Sequence, residues 1–283
     1  MTRSSTAPGD SLKHASDRGA IGSLLGRLVE RGLLDERDLV EGDVRVVDAS
    51  RRNRNLRVTT TLGKRYFVKQ ALGAERSLSI GREAAFLRLT AAPPLDARLG
   101  AYLPAVRDWD AAHGTLVFDL VPESSSLAEH HRRLRRWPAS LAGQAGAALA
   151  ALHREPPTRA LADEIALAGL GSPWVLALHQ PSIDFLDHVS GAGLELIRIV
   201  QAAPSLGAAL DDLRHAWQPT AIVHGDIKWD NFVVSPASRG RGRRLRLVDW
   251  ELVRPGDPLW DAASFLSQYL DAWIASIHIV IAQ

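Results

Sequence analysis

Three polar residues follow short apolar segments in the last quarter of the chain. The stretch IVHGDIKWDNFVV, residues 222–234, places Asp226 and Asn231 in a loop between two apolar β-type runs. A third apolar run, residues 245–248, ends directly before Asp249. Carboxylates at the ends of buried strands are poorly solvated and repel one another, so they require a nearby cation. The spacing therefore predicts a site that holds a cation against a negatively charged ligand.

A small set of oxygen ligands suits Mg²⁺, which keeps several waters and usually shares its coordination shell with phosphate oxygens. We interpret Asn231 and Asp249 as the ligand pair. Asp226, five residues before Asn231, is then left to accept or orient the proton of a hydroxyl group. The three residues together predict phosphoryl transfer to a hydroxyl acceptor.

The scarcity of lysine draws attention to one residue in the first half of the chain. The sequence contains four lysines: Lys13, Lys64, Lys69 and Lys228. Lys69 lies in a predicted strand of residues 65–70, where alternation places it on the same face as Phe67. We expect its ammonium group to contact nucleotide phosphates. Glu83, on a predicted helix, is the candidate partner for this ammonium, and Glu75 is the alternative.

Hydrophobic periodicity predicts a small antiparallel sheet followed by a mainly helical region. The predicted strands of the first part are residues 44–48, 56–61, 65–70 and 114–121. The predicted helices are residues 21–34, 79–89 and 141–153, one or two helices over 181–203, and a helix from about residue 259. The pattern changes from strand-like to mainly helical at residues 120–126, which indicates a hinge between two lobes. We predict a disordered tail over residues 1–19, a nucleotide-binding lobe over 20–121, and a helical lobe over 122–283 with the catalytic loop, metal site and acceptor site.

The composition excludes several classes of protein. The chain has 283 residues, 46% hydrophobic, and a net charge of only +2, so it lacks the strongly basic character of a nucleic-acid-binding protein. It has no cysteine, which excludes disulfides, thiolate nucleophiles and cysteine-ligated metals. The N-terminus lacks the apolar segment of a signal peptide, and the late apolar run 273–282 is too short to span a bilayer. We expect a cytoplasmic protein with no membrane or nucleic-acid partner.

The sequence resembles the aminoglycoside phosphotransferase and choline kinase group, which is related to the protein kinases. The hallmarks HGDxxxxN and [IV]DW[ED] read HGDIKWDN at residues 224–231 and VDWE at 248–251. The segment GDPLWDA, residues 256–262, is similar to the family's continuation, in which Asp261 supports the catalytic loop. The resemblance covers about residues 44–270 and implies an α+β, two-lobed, protein-kinase-like fold.

By the same resemblance, each candidate residue has a role in phosphoryl transfer. Asp226 is the catalytic base, Asn231 and Asp249 bind Mg²⁺, and Lys69 with Glu83 positions the phosphates of ATP or GTP. The backbone of the connector that contains Asp119 and Val121 is expected to contact the nucleotide base.

Two features depart from the family pattern. The nucleotide loop, DASRRNRN at residues 48–55, is not glycine-rich, so Ser50, Asn53 and neighbouring amides are expected to bind the phosphates. Lys228 stands two residues after Asp226, where protein kinases carry a lysine that neutralises the transferring phosphate. This lysine favours a Ser or Thr side chain, including one in a peptide, without excluding a small-molecule hydroxyl.

Two alternatives to a kinase remain open from the sequence. A pseudokinase would bind a nucleotide or a peptide as a scaffold without turnover. A metal-dependent hydrolase would use His224, Asp226 and Asp249, but it leaves Asn231 and Lys69 unexplained. Few residues follow the VDWE segment, so the chain is naturally short, is trimmed, or has its second lobe completed by a protein partner.

Overall fold

The computed structural model describes residues 8–49, 54–90, 97–155, 171–237 and 242–281. The predictions for Ser50 and Asn53 fall outside these described residues. The chain divides into two compact units, the first formed by Met1–Ile80 and Ala105–Val121, the second by Gly81–Pro104 and Pro122–Gln283.

The described part of the first unit contains a five-stranded antiparallel sheet. Its strands are β1 (Arg45–Asp48), β2 (Arg54–Thr59), β3 (Arg65–Gln70), β4 (Val106–Asp110) and β5 (Thr115–Asp119), in the spatial order β1-β2-β3-β5-β4. The structure confirms the four predicted strands, which correspond to β1, β2, β3 and β5.

Strand β4 was not predicted because its side chains do not alternate regularly. Val106 pairs with Phe118 on β5, but the next aligned pair is Asp108 with Val117, so the register shifts between Val106 and Asp108. A bulge of this kind inserts one residue and breaks the apolar–polar alternation by which strands are identified in a sequence.

The first unit also contains helices α1 (Pro8–Glu30) and α2 (Glu36–Val40) and the beginning of α3 (Ala74–Thr90). Leu24 and Leu28 of α1 are buried in a core formed with apolar residues of the sheet. Helix α1 begins at Pro8, within the segment 1–19 for which the sequence predicts a disordered tail, and the division of the chain into a tail and two lobes stays a prediction.

The described part of the second unit is mainly helical. After the end of α3 its helices are α4 (Ala97–Gly100), α5 (Leu127–Leu134), α6 (Ala139–His153), α7 (Ile183–Leu186), α8 (Gly191–Gln201), α9 (Pro204–Ala216) and α10 (Pro258–Ile281). Its strands are β6 (Ser125–Ser126), β7 (Ala221–Val223), β8 (Phe232–Pro236), β9 (Arg243–Leu247) and β10 (Arg254–Gly256). Strands β6, β8 and β9 form one antiparallel sheet, and β7 pairs with β10. No helix within the described residues is long and apolar enough to cross a membrane.

Candidate active site

The antiparallel pairing of β8 and β9 positions the two predicted metal ligands. Phe232, the first residue of β8, pairs with Leu247, the last residue of β9. The Val248 amide donates a hydrogen bond of 2.9 Å to the carbonyl oxygen of Asn231. Asn231 and Asp249 therefore lie at the same end of the β8–β9 pair, one just before β8 and the other just after β9.

The side chain of Asp226 has one anchored oxygen and one available oxygen. Its Oδ2 accepts hydrogen bonds from the Lys228 ammonium and from Asn231 Nδ2, the latter at 3.1 Å. Asn231 Nδ2 also donates to the backbone oxygen of Asp226 at 2.8 Å. Among the described residues, no side chain or amide donates to Asp226 Oδ1. The arrangement fixes the carboxylate while leaving Oδ1 able to accept a proton or a hydrogen bond.

The residues predicted to bind Mg²⁺ fit that ion. Asn231 is only 4% exposed, and both hydrogens of its amide nitrogen are directed to Asp226, so its carbonyl oxygen is the atom left for a cation. Asp249 has φ 72° and ψ 56°, a left-handed conformation. Few residues other than glycine adopt it, although asparagine and aspartate do so more often than most. Such backbone strain is typical of functional sites. An amide oxygen and a carboxylate oxygen form a donor set that Mg²⁺ accepts alongside water and phosphate.

His224 stabilises the loop of residues 224–231 through hydrogen bonds to backbone groups. Its ring is fully buried, and this burial lowers its pKa, so the imidazole is held in the neutral form. The Asp226 amide donates to His224 Nδ1 at 3.3 Å, and His224 Nε2 donates to the Val248 carbonyl at 3.1 Å. Both ring nitrogens are therefore engaged with backbone groups, and the metal-ligand role of the hydrolase alternative does not fit this histidine.

The loop requires glycine at position 225. Gly225 has φ +82°, and a Cβ atom there would lie 2.6 Å from the carbonyl oxygen of Leu252. Any other residue would meet both backbone strain and a steric clash with rigid main chain. The glycine of the HGD motif therefore lets the loop pass close to the segment that follows Asp249.

Asp261 on α10 anchors the start of the loop of residues 224–231. Its fully buried carboxylate accepts hydrogen bonds from the backbone amides of His224 at 2.8 Å and Gly225 at 3.0 Å. The ring of His153, at the end of α6, provides a third contact, with Nε2 3.0 Å from Asp261 Oδ2. The two hydrogen bonds to the loop agree with the supporting role that the resemblance implies for this aspartate.

Replacing Asp261 with Asn is expected to destabilise the protein by about 1–3 kcal/mol. The NH₂ group of the new amide would face one of the buried backbone N–H groups that donate to the carboxylate in the wild type, and that N–H group would lose its acceptor. Chemical denaturation of the wild type and the variant measures this loss. Asp271→Asn, on the exposed side of the same helix, is the matched control. A loss no greater than that of the control would contradict the supporting role of Asp261.

Glu83 makes a contact that the sequence does not predict. The side chain is fully buried within the second unit, and its Oε1 accepts a hydrogen bond of 3.2 Å from the backbone amide of Trp250. The ring of Phe86, one turn further along α3, stacks on the Trp250 ring at 4.6 Å. Arg82 Nη1 donates to the carbonyl oxygen of Glu251 at 3.0 Å. This part of α3 therefore fixes the residues that directly follow Asp249.

The candidate nucleotide residues of the first unit lie on β3 and β5. Lys69 is in β3, where it pairs with Leu116 on β5, and it is only 5% exposed. Asp119, the last residue of β5, forms an ion pair of 2.5 Å with Arg107. Val121 follows Asp119 outside the strand and is half-buried. The roles of Lys69, Asp119 and Val121 towards a nucleotide, and the pairing of Lys69 with Glu83, stay predictions.

Comparison with known proteins identifies a family and a fold. A family model described as "phosphotransferase enzyme family" matches residues 43–278. No curated protein matches the chain. Among solved structures, choline kinase LicA from Streptococcus pneumoniae is 20% identical, with 86% of this chain and 74% of that chain covered and a TM-score of 0.52. A macrolide 2'-phosphotransferase of type I is 19% identical, with 93% and 78% covered and a TM-score of 0.51.

A third solved structure is a GDP and kanamycin complex of APH(2")-IIia. It is 14% identical, with 79% of this chain and 72% of that chain covered and a TM-score of 0.54. At these identities the likeness concerns the fold. It confirms the predicted α+β, protein-kinase-like fold with a small antiparallel sheet at the N-terminal side and a mainly helical second part.

Proposed function

This chain belongs to the phosphotransferase enzyme family, and we propose that it transfers the γ-phosphate of ATP or GTP to a hydroxyl group. The observation that carries the proposal is the state of Asp226. Lys228 and Asn231 hold its Oδ2, while Oδ1 accepts no hydrogen bond from the described residues. A carboxylate fixed at one oxygen and available at the other is suited to align a hydroxyl group and take its proton.

In the proposed reaction, the acceptor oxygen forms a bond to the γ-phosphorus while its proton passes to Asp226 Oδ1. The bond between the γ-phosphorus and the bridging oxygen breaks, and the nucleoside diphosphate leaves with that oxygen. Lys228, next to the acceptor position, neutralises part of the charge on the transferred group. Positioning and charge neutralisation supply most of the catalysis in reactions of this type.

The nucleotide is proposed to bind with Mg²⁺. Asn231 and Asp249 would hold the ion, which when bound supplies positive charge against the phosphate oxygens. Lys69, with Glu83 as its partner, would contact the phosphates, Ser50 and Asn53 would cap them, and the backbone from Asp119 to Val121 would contact the base. LicA has been solved with AMP, with a TM-score of 0.51 to this chain, and APH(2")-IIia with GDP, which supports a purine nucleotide as the co-substrate.

The acceptor is proposed to be a hydroxyl-bearing small molecule. Choline, macrolide and kanamycin appear in the names of the similar structures, and each is a small molecule with hydroxyl groups. Lys228 stands where the protein kinases carry a lysine, so a peptide Ser or Thr side chain is the second proposed acceptor class.

A phosphate-transfer assay tests this function. The purified chain is incubated with Mg²⁺ and γ-labelled ATP or GTP, together with aminoglycosides, macrolides, choline, homoserine, sugars and Ser/Thr peptides in separate reactions. We expect label to be transferred to members of one acceptor class, and the class labelled distinguishes a small molecule from a peptide. Nucleotide binding without transfer to any acceptor and without hydrolysis would favour the catalytically silent scaffold.

A further inference from the structure

Two adjacent histidines of α5 have different neighbours, although both are only 3% exposed. Successive residues of an α-helix point about 100° apart around the axis, so His130 and His131 face different parts of the second unit. His130 faces the basic end of the helix, where Arg133 Nη2 donates to its Nδ1 at 3.3 Å. His131 lies against the loop of residues 224–231, where its ring is 4.8 Å from that of Trp229. Neither histidine has a part in the reaction proposed above.

Trp229 has its side chain between α5 and α10. Its ring packs in edge-to-face geometry on His131, at an interplanar angle of 72°, and on Tyr269, at 75°. The ring centroids are 4.8 Å apart in both contacts. Edge-to-face ring pairs at this separation are attractive beyond the effect of the area that they bury. Because the Trp229 amide also donates to Gln268 Oε1 at 3.4 Å, the middle of the loop is fixed between the two helices.

The position of Trp229 determines where the proposed reacting groups lie. Trp229 begins a single 3₁₀ turn that ends at Asn231, and the Asn231 amide donates to the Lys228 carbonyl at 2.9 Å. The side-chain amide of Asn231 in turn donates to the backbone oxygen and to Oδ2 of Asp226. A displacement of Trp229 would therefore shift the proposed metal ligand and, through these hydrogen bonds, the proposed base. A misplacement of about 1 Å in such groups is enough to lower a rate by about 10²-fold.

The ring of His131 is held in one orientation and is neutral. Burial lowers its pKa, and the neighbouring His130 lowers it further, although the hydrogen bond to Arg136 acts in the opposite direction. Nδ1 donates to the Arg136 carbonyl at 3.1 Å, so Nε2 carries the lone pair. Nε2 is buried and has no hydrogen-bond partner among the described residues. The ring therefore contacts Trp229 and Tyr269 by packing rather than by hydrogen bonds.

We propose that His131 is a positioning residue for phosphate transfer, which keeps the loop of residues 224–231 in its active geometry by packing against Trp229. The proposal rests on the function proposed above, because the groups that His131 keeps in place are the proposed base and metal ligand. His130 is the matched control. It is equally buried on the same helix, and within the described part of the chain its only ring contact is with His131, at 6.5 Å.

Two replacements of His131 separate ring packing from hydrogen bonding. His131→Asn keeps a donor for the Arg136 carbonyl but removes the part of the ring that contacts Trp229. His131→Phe keeps a ring against Trp229 and loses the donor, which water can replace because Arg136 is exposed. We expect His131→Asn to lower kcat for phosphate transfer by about 10²-fold. His131→Phe and His130→Asn should retain most of the wild-type rate, and an equal fall for His131→Phe and His131→Asn would overturn the inference.

A double-mutant cycle provides a second kinetic readout. Trp229→Leu removes the loop side of the same contact and leaves α5 unchanged, so it should lower kcat to a similar extent. When two residues act through one contact their effects do not multiply, so Trp229→Leu combined with His131→Asn should still cost only about 10²-fold. Effects that multiply would show that the two residues act independently. Transfer at the wild-type rate by Trp229→Leu would overturn the inference by itself, whatever the stability of the α5 variants.

Hydrogen exchange of the loop tests the inference without any substrate. Exchange of backbone amides in residues 224–232 is followed by mass spectrometry for the wild type and each histidine variant, with peptides of β2 and β3 as the folding control. We expect faster loop exchange in His131→Asn, and wild-type exchange in His131→Phe and His130→Asn, because only the first variant loses the contact with the loop. Equal loop exchange in His131→Asn and His130→Asn would contradict the positioning role. A chain that transfers phosphate to no acceptor would refute the proposed function, whereas the exchange pattern still decides whether His131 orders the loop.

Discussion

Replacing Asp226 with Asn is expected to lower kcat for phosphate transfer by about 10²–10⁴-fold, the range for loss of a positioned base. An amide has nearly the shape of the carboxylate, but it cannot accept the proton of the acceptor hydroxyl. Nucleotide affinity should change little, because the residues proposed to contact the nucleotide and the metal are unaltered. Steady-state transfer rates and nucleotide dissociation constants, measured on the same preparations, separate the two effects.

The control for this experiment is Asp230→Asn. Asp230 lies in the same loop, is exposed, and hydrogen-bonds the Ser126 hydroxyl at 3.4 Å, so its replacement removes the same charge from the loop. A comparable fall in rate for both variants would show that the charge of the loop matters rather than the Oδ1 atom of Asp226. Phosphate transfer at the wild-type rate by Asp226→Asn would exclude Asp226 as the catalytic base.

Replacing Asp249 with Asn is expected to remove the Mg²⁺-dependent part of nucleotide affinity. Asparagine tolerates the left-handed backbone of this position, so the loop should keep its conformation while the charged ligand is lost. The loss should exceed the 10–100-fold that is usual when a residue behind a metal ligand is changed. The nucleotide dissociation constant is measured over a range of Mg²⁺ concentrations for the variant and the wild type.

The same exposed loop residue supplies the control, since Asp230→Asn removes a carboxylate near Asn231 without touching the proposed ligand pair. Its Mg²⁺ dependence should match that of the wild type. An Asp249→Asn variant that keeps the full Mg²⁺ dependence would place the metal elsewhere.

Local sequence patterns were sufficient for the elements that carry the site. The apolar runs on either side of HGDIKWDN predicted β7 and β8, and the run before Asp249 predicted β9. Each of these strands is short, apolar and bounded by polar residues, so its pattern does not depend on distant parts of the chain. The register of β8 with β9 then brings Asn231 and Asp249 to one end of the pair, as their positions at strand boundaries suggested.

Contacts between residues distant in the sequence could not be predicted. Glu83 and the Trp250 amide are 167 positions apart, and a helical glutamate carries no local sign that it will accept a backbone hydrogen bond. The hydrogen bonds from the loop to Asp261 were expected only through the family resemblance.

The most direct test of the account compares nucleotide binding by the wild type, Asp226→Asn and Asp249→Asn with and without Mg²⁺ in one titration series. With Mg²⁺ present, Asp226→Asn should bind like the wild type, and Asp249→Asn should bind like the wild type deprived of Mg²⁺. Equal loss of binding from the two changes would contradict the division of the site into a base and a metal ligand.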